Sequence, residues 1–329
     1  MVAEKDSNSR PRLLVVKPSS LGDIVHALQV IAALKEQMPQ IAISWVVRDI
    51  FADVVCSAKC VDQCIVYQRG QGLSGLWRCC QEIRRMGQFD WVWDMQGLFR
   101  SGLMAFFAKS AAKFGRSDSR ECSGIFYDRC IPLPRITVKS AAHPNEKEKI
   151  VYHAVDILRE FLPMVGAKRS CALPKFHLRV NAKKLPPKPY VVIAPESRGK
   201  NKNWDHYEAL TSNICRLCPQ LNVVWVGLED KMMPSLSVYK TFFNFQGNTS
   251  LMELMAIIQN SSGVIANDSG CLHIAVAMNR PALGIFTTTD PRYSGPRTIG
   301  GTPAFFAVNP PPYFPELKKF FAAVASAGD

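Results

Sequence analysis

The chain has 329 residues, is 47% hydrophobic and carries a formal net charge of +13. That length suits two ordinary α/β domains, and that apolar content excludes a disordered chain. No apolar run reaches the roughly 18–20 residues of a membrane span, and the first ten residues lack the apolar core of a secretory signal, so a cytoplasmic protein is expected.

Strands and helices alternate from the start. Residues 12–17 form a short apolar run between Pro11 and Pro18, and residues 23–37 follow with Ile24, Leu28, Ile31 and Leu34 at helical spacing. Residues 41–47 and 64–67 read as strands, 73–86 as a helix, 91–93 as a strand and 100–108 as a helix. Residues 146–162 are expected to form a longer helix. Leu185-Pro186-Pro187-Lys188-Pro189 reads as a stiff, extended linker. The alternation then restarts with strand 190–194, helix 205–217, strand 222–226, helix 250–259, strand 263–266, helix 269–277 and strand 282–286. Residues 315–325 read as a last helix, and pattern alone leaves its packing open, the first domain being one option. Strand–helix alternation implies parallel sheets covered on both faces. The expected class is therefore α/β, with two doubly wound, Rossmann-like domains, 1–180 and 181–329, facing a cleft.

The eleven cysteines are an odd number in a long chain, which argues against a disulfide framework. Cys56, Cys60 and Cys64 recur every four residues without a C-x-x-C pair, and the C-x-x-C of Cys215 and Cys218 has no second pair to complete a zinc site. Reduced structural cysteines and no metal are expected. The positive charge is uneven. Between residues 97 and 140 eight Lys/Arg stand against three acids, a local excess of +5. Such a stretch points to a phosphorylated lipid, an anionic membrane or nucleic acid. It lacks an aromatic ladder at stacking intervals, which weakens the single-stranded nucleic-acid reading.

In open α/β sheets ligands bind beyond the carboxyl ends of strands, so the loops after strands carry the search. Four stand out. In Lys17-Pro18-Ser19-Ser20-Leu21-Gly22-Asp23, Asp23 falls near a helix start, where it is either an N-cap or a carboxylate base, with His26 one turn on. In Asp94-Met95-Gln96-Gly97, Asp94 and Gln96 end an apolar strand and are expected to face the cleft or a partner. Arg100, Arg116 and Arg120 follow, as a solvated face or as forks for phosphate and carboxylate groups. The loop from Glu196 to Trp204 is long, polar and basic, and opens a helix, a setting that attracts phosphate. In Asn267-Asp268-Ser269-Gly270-Cys271-Leu272-His273, the free N–H groups of a helix start and a glycine that allows close approach make a pyrophosphate cradle. An acid beside an anion fits if Asp268 shapes the loop. A competing fingerprint, Gly70-Gln71-Gly72-Leu73-Ser74-Gly75, follows a strand with Asp94 some twenty residues on, and would suit a nicotinamide dinucleotide.

Taken in order, these loops resemble glycosyltransferase family 9, the ADP-heptose:lipopolysaccharide heptosyltransferases. The resemblance rests on Ser19-Ser20-Leu21-Gly22-Asp23-Ile24-Val25-His26, on Asp94-Met95-Gln96-Gly97-Leu98 with Ser101, and on residues 115–121 ending in Ser119-Arg120-Glu121. It continues through Lys202-Asn203-Trp204, Asn267 to Ala275, and Thr289-Asp290-Pro291. It implies a GT-B fold and inverting transfer without metal or cofactor, with Asp23 as the base. Lys202 and Ser197 would lie at the donor phosphates, Glu229 at the ribose and Thr249 near the nucleotide base. Ser269, Gly270 and His273 would surround the diphosphate, with Asp268 completing the donor site. Ser20, Asp94, Gln96, Arg100, Arg116 and Arg120 would serve the acceptor. The implied partners are ADP-heptose, a phosphorylated lipopolysaccharide inner-core acceptor and the cytoplasmic face of the inner membrane, without nucleic acid. Gln29, Thr287 and Glu196 depart from the family pattern and leave the donor sugar open. The alternatives are another nucleotide-sugar or acceptor, a nicotinamide-dependent oxidoreductase and a basic surface-binding protein.

Overall fold

The computed structural model describes residues 10–134, 137–138, 149–150, 152–179, 185–197 and 202–326. Arg135 and Lys139 of the basic stretch, and residues 198–201 of the third loop, lie outside the described residues. Two units are distinct, Met1–Phe176 and His177–Asp329.

In the first unit Leu13 to Val16 are fully buried, the mark of a central parallel strand covered on both faces. This is β1 (Arg12–Val16). It is followed by α1 (Leu21–Gln37), β2 (Ala42–Arg48), α2 (Ala52–Ser57), β3 (Gln63–Tyr67), α3 (Gly72–Arg85), β4 (Gln88–Asp94), α4 (Phe99–Phe107), β5 (Lys109–Arg116) and β6 (Arg129–Ile131). Among the described residues these strands make one parallel sheet in the order β3-β2-β1-β4-β5-β6. The strand β5 is absent from the periodicity reading, because its sequence KSAAKFGR looks like a charged connection. Within it Phe114 and Gly115 are buried while Lys109 and Ala111 are exposed. The strands β7 (Thr137–Val138) and β8 (Lys149–Ile150) pair antiparallel, and α5 (Ala154–Arg159) follows. The expected helix over 146–162 is thus much shorter. His153 Nδ1 accepts the Val155 N–H at 3.2 Å and starts α5 there, and Pro163 sits in a separate 3-10 turn, Leu162–Val165.

The second unit runs β9 (Tyr190–Ala194), α6 (Tyr207–Leu217), β10 (Asn222–Trp225), β11 (Phe242–Asn244), α7 (Leu251–Asn260), β12 (Gly263–Asn267), α8 (Gly270–Ala277), β13 (Ala282–Phe286), α9 (Pro291–Ser294), β14 (Ala304–Val308) and α10 (Pro315–Ser326). Its parallel sheet, β11-β10-β9-β12-β13-β14 among the described residues, repeats the strand order of the first. The closing helix α10 spends its apolar face within this unit. Leu317, Phe320 and Val324 join the core of β9, β10, β12 and β13. Gly263 leaves the space they need, since a Cβ there would lie 2.8 Å from both Phe320 and Val324. No helix of the described residues is long and apolar enough to cross a membrane.

Candidate active site

In a 3-2-1-4-5-6 sheet the connections leave strands 1 and 4 in opposite directions, and the crevice they leave at the carboxyl ends is where ligands bind. Two of the four loops chosen from sequence leave β1 and β4. The other two leave β9 and β12. Each pair therefore marks the switch point of its own sheet.

At the first switch point the two loops are stitched together. Met95 donates its N–H to Val16 O at 3.1 Å, and Ser19 donates its N–H to Gln96 Oε1 at 3.2 Å. Ser20 is the N-cap of α1, so Asp23 occupies the third helical position rather than the cap. Asp23 Oδ2 accepts the Ser20 N–H at 3.1 Å and the Ser20 hydroxyl at 2.7 Å, and Lys17 Nζ stands 3.9 Å from the same oxygen. Among the described residues Oδ1 takes no hydrogen bond. The Asp23 side chain is 43% exposed while that of Lys17 is 2% exposed. Burial pushes the Asp23 carboxyl up, but Lys17 and the two Ser20 bonds outweigh it and hold it at about 2. Burial lowers the Lys17 ammonium, with Asp23 opposing. His26, one turn along, is buried with its ring 5.6 Å from that of His153.

Asp94, expected to face the cleft or a partner, is instead fully buried. Its Oδ1 accepts the N–H groups of Gln96 (2.9 Å) and Gly97 (3.0 Å), and its Oδ2 accepts the Tyr127 hydroxyl at 2.7 Å. A carboxylate with three donors at a strand end folds its own loop. Burial raises its pKa against those hydrogen bonds. Tyr127 reaches it by lying across Gly115, where a Cβ would meet the ring at 2.1 Å. Arg116 ends β5 with its guanidinium forked onto Asp118, at 2.9 and 2.6 Å. Arg120 returns to the same turn, its N–H donating to Gly97 O at 2.9 Å, and its side chain is exposed, as is that of Arg100. The structure thus brings Ser20, Asp23, Gln96, Arg116 and Arg120 to one end of one sheet, on a turn organised by Asp94.

At the second switch point Asn267, ending β12, accepts the Tyr207 hydroxyl at 3.0 Å and donates to Pro195 O in the loop after β9. Asp268 follows. Its Oδ2 accepts from Lys202 Nζ at 2.9 Å and from the Thr289 hydroxyl at 2.8 Å, and its Oδ1 lies 3.9 Å from His273 Nε2. Burial works against ionisation here too, yet His273, Lys202 and Thr289 together hold the carboxyl below the usual carboxylate range. Ser269 is the N-cap of α8, with its hydroxyl next to the Cys271 thiol, so the first N–H groups of α8 open at Gly270. Ser197 donates its N–H and hydroxyl to Asn203 Oδ1 at 3.0 and 3.1 Å. One sheet end therefore gathers a lysine, a helix start and a shaping carboxylate, the elements of a diphosphate site.

The sequence model of glycosyltransferase family 9 (heptosyltransferase) matches residues 76–300. The chain belongs to glycosyltransferase family 9. The lipopolysaccharide core heptosyltransferase OpsX of Haemophilus influenzae is 23% identical over 304 residues, covering 86% of this chain and 81% of the relative. Lipopolysaccharide heptosyltransferase 1 of Pseudomonas aeruginosa is 26% identical over 299 residues, covering 86% and 81%. Of solved structures, the E. coli heptosyltransferase WaaC with ADP shares the fold at a TM-score of 0.73 and 20% identity, over 95% of this chain and 99% of that one. E. coli ADP-heptose lps heptosyltransferase II aligns at 0.68 and 17%, over 97% and 100%. The fold is GT-B and the protein is a glycosyltransferase.

Glu196, one of the three departures from the family 9 pattern, is engaged within the second unit. Its Oε2 accepts the Leu228 N–H at 2.8 Å, and its Oε1 accepts from Gln246 at 3.1 Å and lies 3.4 Å from Lys231 Nζ. The acid thus ties down the loop after β10. It lines a pocket of about 160 Å³ with Trp204, Tyr207, Trp225, Lys231 and Met233. Glu229 is 74% exposed and pairs with the same Lys231 at 3.2 Å. Thr249 precedes α7, whose cap is the adjacent Ser250. The glycines 70, 72 and 75 lie after β3, at the edge of the sheet and away from its switch point. Gly75 is there for packing, since a Cβ would meet Gln68 O at 2.2 Å. Tyr127 is absent from the sequence reading, and Lys17 and Thr289 enter it only as members of motifs, with no role of their own. Lys17 had one available signal, a lysine continuing an apolar strand run.

Proposed function

We propose that the protein transfers a heptose from an ADP-sugar to a phosphorylated inner-core lipopolysaccharide acceptor, with inversion and without a metal. The second unit holds the donor and the first holds the acceptor. The observation that carries the reading is the Lys202–Asp268–Thr289 contact set beside the open start of α8. Departure of a nucleoside diphosphate builds negative charge on its leaving oxygen, and a lysine with aligned N–H groups stabilises that charge in place of a divalent ion. Asp268 holds Lys202 at the helix start, where the ammonium keeps further N–H groups for phosphate.

Asp23 is the base. Its Oδ2 is committed to Ser20 and Lys17, while Oδ1 is open to the acceptor hydroxyl. A carboxyl held at about 2 is fully ionised near neutral pH, so it accepts a proton as the carbon–oxygen bond forms rather than before. Arg100, Arg116 and Arg120 meet acceptor phosphates, and for Arg116 this requires sharing its fork with Asp118. Asp94 acts through the loop it folds. Heptosyltransferase relatives and the ADP named for the E. coli structure support the donor class.

Calorimetric titration with ADP-, UDP-, GDP- and CDP-sugars, with and without magnesium, tests the reading. ADP-selective, magnesium-independent binding is expected, and a strict metal requirement overturns it. Asp23→Ala is expected to nearly abolish transfer while donor binding survives. Near-normal turnover in that variant removes Asp23 from the role of base.

A further inference from the structure

The first unit carries an apolar surface that its core does not use. In α3 the buried face is Leu76, Cys79, Cys80 and Ile83, yet Leu73 and Trp77, one turn apart on another face, are 84% and 53% exposed. Phe106, near the end of α4, is 55% exposed, and Ile125, in the 3-10 turn Ser123–Phe126, is 75% exposed. These side chains are not scattered. Ring contacts run from Trp77 to Phe107 (5.5 Å), Phe107 to Phe106 (5.8 Å), Phe106 to Phe126 (5.8 Å) and Phe126 to Phe99 (5.4 Å). Trp77, Phe99 and Phe106 face water and are joined through the half-buried rings of Phe107 and Phe126, and an aromatic strip of this kind marks an interaction site.

The strip is edged with cations. Arg78 neighbours Trp77, Arg100 neighbours Phe99, and Lys109 follows α4, all three exposed. Lys113 Nζ sits 5.6 Å from the Phe106 ring centre and donates to Phe106 O at 3.2 Å. Two nearby acids accept backbone N–H groups, Glu121 from Phe99 and Asp128 from Lys113. Aromatic and aliphatic side chains flanked by Lys and Arg fit the boundary between lipid headgroups and acyl chains, where rings enter and cations meet phosphate. A second copy fits less well, because a two-fold contact would set this cationic edge against its own image.

We propose that the face built by α3, α4 and the turn Ser123–Phe126 docks on an anionic phospholipid surface. It deepens the function proposed above by naming the membrane-contacting surface, and rests on it only in that a lipid-borne acceptor gives surface attachment its use. Arg100 at the start of α4 and Phe106 near its end would then place acceptor recognition and lipid contact on one helix.

The test is flotation of the full chain with vesicles of phosphatidylethanolamine and phosphatidylglycerol, or of phosphatidylcholine alone, without donor or acceptor. The chain is expected to float with the anionic vesicles and not with the neutral ones, less so as salt rises. The combined variant Leu73→Ser, Trp77→Ser, Phe106→Ser and Ile125→Ser is expected to lose about tenfold or more of that partitioning. Its ADP binding should stay unchanged and its unfolding transition should fall only modestly, since Trp77 and Phe106 are half exposed and lose only their ring contacts. Arg78→Glu with Lys109→Glu should weaken anionic binding without touching the apolar strip. Absence of vesicle binding overturns the proposal, as does equal binding by the four-site variant. A dimer that the four-site variant dissociates, in a chain that ignores vesicles, assigns the strip to a second copy instead. None of these outcomes depends on sugar transfer, so a failed donor assignment and a failed docking surface are told apart.

Discussion

Lys17→Met isolates what the buried ammonium does to Asp23. In the folded chain the Asp23 carboxyl lies at about 2, against an ordinary 3.8, and Lys17 is the largest influence lowering it. That difference is worth about 2.5 kcal/mol at about 1.4 kcal/mol per unit. Asp23 is 43% exposed, so solvent screening cuts this to roughly 1 kcal/mol. The sign follows from linkage. A carboxyl depressed on folding stabilises fully above its unfolded value, 3.8, and the contribution fades as pH falls towards about 2. Methionine keeps much of the length and removes the charge, so burial, which raises the carboxyl, faces only the Ser20 hydrogen bonds and His26. The Asp23 carboxyl should rise by more than one unit, and an acid limb absent from the native kcat/KM profile should appear at about pH 4 to 5 in the variant. Chemical denaturation near neutral pH should show a change within about 1 kcal/mol, because the lost ion pair is offset by relief of a buried ammonium. A variant profile as flat as the native one down to pH 4, with transfer intact, would refute the coupling between Lys17 and Asp23.

Two further expectations concern the turns. Lys202→Ala removes a charged donor from the expected phosphates and leaves Asp268 with Thr289 and His273, so ADP affinity measured by calorimetry should fall about tenfold to a hundredfold. Unchanged affinity would move the phosphate site elsewhere. Gly115→Ala forces the Tyr127 ring aside and strips a hydrogen bond from the buried Asp94, and overpacking together with a weakened carboxylate should cost about 2–4 kcal/mol in urea unfolding. Tyr127→Phe, which keeps the ring and loses only the hydroxyl, should cost less.

The sequence exposes the switch points well because they obey a local rule. An apolar run, then Gly, Ser and Asp, then helical spacing is how a β–loop–α crossover is written, and the loops after β1, β4, β9 and β12 all follow it. Edge and charged strands do not. The strand β5 alternates Lys109 and Lys113 with small residues, and β11 spans only Phe242–Asn244, so neither carries a pattern distinct from a loop.

Side-chain direction at a strand's end is the harder quantity, because it is set by whatever chain returns across that end. Asp94 and Lys17 are the first polar residues after apolar runs, and period-two reasoning sends such residues towards solvent or ligand. Tyr127 arrives 33 residues later, over a glycine, and turns Asp94 into a buried hub. Lys17 is fixed through its backbone, its N–H on Val46 O at 3.3 Å and its C=O accepting from Trp45 Nε1 at 3.1 Å. Asp23 then supplies the countercharge from the next helix. Glu196 obeys the same logic, since Lys231 and Gln246, which neutralise and orient it, come 35 and 50 residues downstream. An acid that looks misplaced beside an expected phosphate loop is thus a tether whose partner is invisible to local pattern. The residues proposed to bear chemistry and those that hold them in place differ in just this way: the first announce themselves by type and spacing, the second only by what the fold brings back to them.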